Sequence, residues 1–115
     1  MAAEHPMESH GRIRVLLADD HRLVRAGLRM LLGTQPDIDV VGEAGDGEET
    51  VVEARRLRPD IVLMDLAMPK GGGLDATRRI AESGLPVRVL ILTAQAEGQY
   101  LLPVLRAGGS GFLLK

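Results

Sequence analysis

Cysteine is absent from the chain of 115 residues. Its absence excludes a disulfide framework, a thiolate metal site and a cysteine nucleophile. An excess of positive charge is also lacking, because 14 Lys and Arg residues stand against 16 Asp and Glu residues, for a formal net charge of -2. That balance does not supply the basic surface needed to bind a nucleic-acid backbone. We therefore expect that this chain itself binds no DNA or RNA.

Long hydrophobic runs are lacking as well. The first 12 residues are polar and contain no apolar core of signal-peptide length. No later window approaches the length of a membrane span. We therefore expect a cytoplasmic chain that does not enter a membrane, with residues 1–12 as a flexible tail and residues 13–115 as one domain.

Apolar runs typical of strands alternate with amphipathic helical patterns along that domain. The predicted strands are residues 13–18, 39–44, 61–64, 87–93 and 112–115. The predicted helices are residues 21–33, 46–57, 74–83 and 97–107. Such alternation predicts an α/β fold, in which parallel strands are joined by right-handed helical crossovers.

Asp65 is the main candidate for a functional residue in this chain. The run Ile61-Val-Leu-Met64 before it shows no polar alternation, as is typical of a strand buried on both faces in the middle of a parallel sheet. An ionised carboxylate inside such a sheet would cost several kcal/mol unless it were paired or bound to a cation. We therefore place Asp65 at the carboxyl-end edge of the sheet, where ligands gather in such folds.

Polar residues end other predicted strands too. Asp19 and Asp20 follow the first strand, Thr93 ends the fourth, and Lys115 ends the fifth. The fold would bring them to the same edge as Asp65, where the repulsion among carboxylates would be relieved by a divalent cation. Oxygen ligands of this kind suit Mg²⁺. With a hydroxyl and a lysine nearby, the edge can hold a phosphoryl group while a carboxylate attacks phosphorus to form an acyl phosphate.

Four segments carry a family resemblance. They read Val-Leu-Leu-Ala-Asp-Asp-His from residue 15, Leu-Val-Arg-Ala-Gly-Leu from residue 23, Val-Val-Gly-Glu-Ala from residue 40 and Gly-Phe-Leu-Leu-Lys from residue 111. Over roughly residues 12–115 the chain resembles the receiver domain of two-component response regulators, and within them the NarL/FixJ (LuxR-type) group. The resemblance implies a doubly wound, five-stranded parallel sheet of the CheY-like, flavodoxin-like order 2-1-3-4-5.

The resemblance also implies a metal site. Asp65 would be the phosphoacceptor and would contact Mg²⁺ as well. Asp20 would bind Mg²⁺ directly, Asp19 largely through water, and the backbone carbonyl of Ala67 would be a further ligand.

Three other residues receive roles from the same resemblance. Thr93 would donate a hydrogen bond to the phosphoryl group, and Lys115 would pair with it. Phe112 falls at the position of the family's switch aromatic. The implied protein is a signalling domain rather than an enzyme.

The resemblance also implies partner proteins and further segments of chain. A sensor histidine kinase would donate the phosphoryl group, and the surface formed by the fourth helix and the fifth strand would respond. The family's last helix is missing, so we expect a domain truncated after residue 115 and a homodimer that covers the exposed apolar strip. DNA would be contacted through a missing C-terminal helix-turn-helix domain that controls transcription.

Two alternatives stay open. Gly72 stands where family members carry an acidic or amide residue that would cap the third helix, so a receiver-shaped binding module without phosphoryl chemistry is one of them. A dehalogenase-like phosphatase also uses an aspartate after a strand, but it requires a second acidic residue where this chain has Ala67.

Overall fold

Five parallel strands form the centre of the computed structural model, which describes residues 12–65, 68, 72–93, 106, 108–109 and 111–114. Residues 93 and 111–114 are described by their backbone alone. The strands are β1 Ile13–Ala18, β2 Ile38–Ala44, β3 Ile61–Asp65, β4 Arg88–Thr93 and β5 Gly111–Leu114. The helices are α1 Arg22–Gly33, α2 Gly47–Leu57 and α3 Gly72–Glu82. The predicted tail up to residue 11, and the predicted helix 97–107 apart from residue 106, lie outside the described residues.

The strand order is β2-β1-β3-β4-β5, and every neighbouring pair is parallel. This arrangement confirms the predicted doubly wound fold. α1 packs against β1 and β2, while α2 packs against both strands and against α3. β1 and β3 are therefore interior strands whose carboxyl ends share one edge, which is where the candidate site lies.

The described core lies between the sheet and the helices α2 and α3. Its buried side chains are Leu16, Ala18, Val51, Ala54, Val62, Met64, Met68, Ala76, Ile80, Val89 and Ile91. In β3, the alternate residues Val62 and Met64 are fully buried, whereas Ile61 and Leu63 are half-buried. The central position predicted for β3 is confirmed, although one of its faces is covered less completely than the apolar run suggested.

α1 is an amphipathic helix, as its apolar spacing predicted, but none of its residues is buried among the described part of the chain. Val24 and Leu28 are half-buried, whereas Leu23, Met30 and Leu31 are at least 65% exposed. None of the helices within the described ranges is long and apolar enough to cross a bilayer.

α3 begins at Gly72, two residues earlier than its apolar pattern predicted. Gly72 has φ 67°, a left-handed conformation that a side chain would strain. The backbone at the start of α3 therefore gives a reason for glycine at this position.

Asp46 caps the amino end of α2. Its carboxylate accepts a hydrogen bond from the Glu49 N–H at 2.7 Å, and the Glu49 carboxylate accepts one from the Gly45 N–H at 2.8 Å. The second bond reaches one residue further back than in the usual capping box. Asp46 and Glu49 thus tie the turn after β2 to the first turn of α2.

We expect Asp46→Ala to lower the free energy of unfolding by about 1 kcal/mol, because the Glu49 N–H loses its acceptor. Urea denaturation of the variant beside the wild type measures this loss. Asp37→Ala, at an exposed turn position, serves as the control. An equal loss in both variants would contradict a specific capping role.

Candidate functional site

The site is built at the edge where β1 and β3 end. Ala18 of β1 pairs with Met64 of β3, so Asp19 and Asp65 are the next residues along two adjacent strands. Both are buried, with 2% exposure for Asp19 and 5% for Asp65, whereas Asp20 is exposed. Asp65 is the last residue of β3, which confirms its predicted place at the carboxyl-end edge of the sheet.

Three carboxylates and one imidazole converge at this edge. One ligand atom from each of Asp19, Asp20, His21 and Asp65 lies within 4.8 Å of all the others. The structure thus brings together the three aspartates that the sequence placed at strand ends. Carboxylate oxygens are donors that suit a hard divalent cation, and the exposure of Asp20 leaves room for the water ligands that Mg²⁺ keeps. This donor set fits Mg²⁺.

The turn after β1 is fixed by local hydrogen bonds. The Asp19 N–H donates to the Ala44 carbonyl at 3.0 Å, and the Asp19 Oδ1 accepts from the His21 N–H at 2.9 Å. The His21 Nδ1 lies 3.1 Å from Asp19 Oδ1 and 3.0 Å from Asp20 Oδ1. Sequence reasoning gave His21 no role. Its place directly after the acidic pair was the available signal.

A cluster of charges on α1 and β2 adjoins this turn and was also missed. Arg25 Nε donates to Glu43 Oε1 at 2.8 Å, and Arg29 Nε donates to Glu43 Oε2 at 2.7 Å. The hydrogen bond from Arg29 lowers the pKa of Glu43, partial burial opposes that change, and the hydrogen bond from Arg25 lowers the pKa further. Arg25 Nη1 also donates to the Asp19 carbonyl at 2.5 Å.

The lowered pKa of Glu43 predicts a pH-dependent contribution to stability. This contribution is present above the ordinary pKa of 4.5 and is lost as pH falls through the lower folded-state value. We expect Glu43→Gln to reduce the free energy of unfolding by about 0.5 to 1 kcal/mol near neutral pH, and by less at about pH 3. Urea denaturation at both pH values measures the difference. A loss that is constant with pH would contradict the ion pair as its cause.

The other predicted site residues are placed only in part. The backbone of Thr93 ends β4, one residue after Leu92, which pairs with Asp65. Phe112 pairs with Ile91 across the β4 and β5 backbones. Ala67 and Lys115 lie outside the described residues, as do the side chains of Thr93 and Phe112.

Residues 15–115 match the family model of the response regulator receiver domain. The chain belongs to this family, whose members are signalling domains that bind Mg²⁺ at an acidic pocket. The resemblance predicted from its four sequence segments is confirmed.

The relatives point to the LuxR/NarL group within the family. The chain is 46% identical to the transcriptional regulatory protein LiaR of Bacillus subtilis, over 90% of this chain and 49% of that protein. It is 48% identical to the response regulator UvrY of Escherichia coli, over 90% of this chain and 47% of that protein. The chain therefore spans about half the length of the curated relatives it matches.

Solved structures of response regulators also match the chain. A two-component response regulator of the LuxR family from Aurantimonas sp. matches with a TM-score of 0.86 and 40% identity, over 90% of this chain and 74% of that one. The response regulator domain of Thermotoga maritima CheB matches with a TM-score of 0.85 and 37% identity, over 90% and 78% of the two chains.

Proposed function

We propose that the chain is a phosphorylation switch in which Asp65 accepts a phosphoryl group from a sensor histidine kinase in a Mg²⁺-dependent reaction. The observation that carries the proposal is the convergence of Asp19, Asp20 and Asp65, with ligand atoms within 4.8 Å of one another. Mg²⁺, when bound, would neutralise the carboxylates and the phosphoryl oxygens. Asp20, Asp65 and the Ala67 carbonyl would bind it directly.

Asp19 suits a contact made largely through water. Its Oδ1 already accepts the His21 N–H, and its side chain is 3% exposed, whereas that of Asp20 is 29% exposed. Asp20 is thus the more accessible of the two carboxylates. We assign it the direct contact and Asp19 the outer one.

The transfer forms one bond and breaks one. A carboxylate oxygen of Asp65 attacks phosphorus, and the bond from phosphorus to the imidazole nitrogen of the donor breaks. The imidazole leaves with the electron pair and takes up a proton, while Asp65 becomes an acyl phosphate. Hydrolysis of that acyl phosphate by water would return the carboxylate.

Three residues complete the proposal. Thr93 would donate a hydrogen bond to the phosphoryl group, Lys115 would pair with it, and Phe112 would report the change to the surface. The parallel register of β3 and β4 supports the first assignment, because it brings the Thr93 backbone to the edge that holds Asp65. The assignments of Lys115 and Phe112 rest on the family motif.

The output would be transcriptional, because the relative LiaR is called a transcriptional regulatory protein. DNA would be bound through a C-terminal helix-turn-helix domain rather than by this chain, whose formal net charge is -2. The exposed apolar residues Leu23, Met30 and Leu31 of α1 support a homodimer. A cytoplasmic location, where a kinase domain has access to ATP, belongs to the same proposal.

Incubation with acetyl phosphate, in Mg²⁺ and in excess chelator, tests the function. We expect intact-mass measurement to show one added phosphoryl group in Mg²⁺ and none in chelator. Circular dichroism would establish that the chain is folded in both samples. A folded chain that gains no mass in Mg²⁺ would contradict the proposal and favour a binding module without phosphoryl chemistry.

A further inference from the structure

Asp19 is held from three directions. The Asp19 N–H donates to the Ala44 carbonyl of β2, and the His21 N–H in the turn donates to the Asp19 carboxylate. The Arg25 guanidinium of α1 donates to the Asp19 carbonyl. The first two contacts come from the strand ladder and from the turn itself. Arg25 supplies the only one of these three contacts that comes from a side chain outside the turn.

Arg25 is in turn held by Glu43. Its Nε donates to Glu43 while its Nη1 donates to Asp19, so one planar guanidinium bridges β2 and the turn after β1. The Arg25 side chain is 17% exposed, whereas that of Arg29, which shares the same carboxylate, is 49% exposed. Arg25 is therefore the inner member of the cluster.

We propose that Arg25, oriented by Glu43, is a positioning residue for the acidic site, and that it fixes the turn from Asp19 to His21 in the arrangement that binds the divalent cation. The proposal rests on the function proposed above. Arg25 on α1 and Glu43 on β2 would act on the strand-end carboxylates without themselves contacting the cation or the phosphoryl group.

The sign of the effect distinguishes positioning from a simple field effect. Arg25 is positively charged, so if it acted only through its field, its removal would strengthen cation binding. If it acts by holding Asp19, its removal will weaken cation binding, because the carboxylates will no longer be held together. Residues that orient metal ligands typically change metal affinity by tenfold to a hundredfold.

Calorimetric titration of Mg²⁺ into the folded chain measures this effect. We expect Arg25→Gln to raise the dissociation constant for Mg²⁺ by about tenfold or more. Arg29→Gln is the matched control, because it removes an arginine from the same Glu43 without touching Asp19. We expect it to stay within about twofold of the wild type, in keeping with an exposed pair. Unchanged or tighter binding by Arg25→Gln would overturn the proposal.

Amide hydrogen exchange in metal-free protein gives a second readout. The His21 N–H donates to Asp19 Oδ1, so loosening Asp19 should speed its exchange in Arg25→Gln but not in Arg29→Gln. Equal exchange rates in the two variants would count against the proposal. If Arg25→Gln does not fold, Arg25→Lys replaces it, since an ammonium keeps the charge but cannot make both contacts.

The two proposals fail in different ways. A wild-type chain that binds no Mg²⁺ would overturn the proposed function, and the role of Arg25 with it. A wild-type chain that binds Mg²⁺ and is phosphorylated, beside an Arg25→Gln variant of equal affinity, would overturn the role of Arg25 alone.

Discussion

Asp65→Asn is expected to reduce Mg²⁺-dependent phosphorylation below detection while the chain stays folded. The substitution keeps the shape of the side chain but replaces the carboxylate with an amide, which is not a nucleophile towards phosphorus. Asp65 lies at the carboxyl end of β3 beside Asp19, so the change falls within the acidic cluster. Intact mass after incubation with acetyl phosphate measures the loss, and circular dichroism checks the fold.

Asp75→Asn provides the matched control for this prediction. It makes the same chemical change on α3, where the Asp75 side chain is 46% exposed and pairs with Arg78 and Arg79. We expect its phosphorylation to equal that of the wild type. If Asp65→Asn were modified at the wild-type rate, another residue would be the acceptor and the assignment would be wrong.

Asp20→Asn is expected to cost most of the Mg²⁺ affinity. Residues that orient metal ligands typically change metal affinity by roughly tenfold to a hundredfold. Loss of a direct ligand should raise the dissociation constant for Mg²⁺ by at least as much. Asp19→Asn should have a smaller effect, because its contact is proposed to run through water. Both substitutions keep the shape of the side chain, so the fold should survive.

Calorimetric titration of Mg²⁺ into the two variants and the wild type checks this order. Asp37→Asn, at an exposed turn position, should bind as the wild type does and so corrects for the loss of one negative charge. An Asp20→Asn variant with unchanged affinity would remove Asp20 from the site. A larger loss in Asp19→Asn would exchange the two assignments.

The acidic cluster was predictable because each aspartate follows an apolar run, and the strand order implied by the resemblance places those runs side by side. The apolar runs before Asp19 and Asp65 predicted strands, and parallel strands bring their carboxyl ends to one edge. The cap at Asp46 was equally local, since it depends on a carboxylate three residues before Glu49. Such signals lie within a few residues of one another, so sequence spacing is enough to find them.

The charges around the site were not predictable in the same way. Arg25 and Glu43 are 18 residues apart, and their contact depends on how α1 crosses β2. Sequence spacing does not indicate which acidic residue the arginines of α1 meet. The left-handed backbone of Gly72 was missed for a related reason, because three consecutive glycines do not show which one needs the unusual φ.

The most direct test of the central claim is to locate the acyl phosphate chemically. Borohydride reduces an aspartyl phosphate to homoserine, and peptide mass spectrometry then gives the position of the modified residue. We expect homoserine at position 65 alone, and only in samples phosphorylated in Mg²⁺. Homoserine at position 19 or 20, or phosphorylated protein that yields no homoserine at position 65, would contradict it.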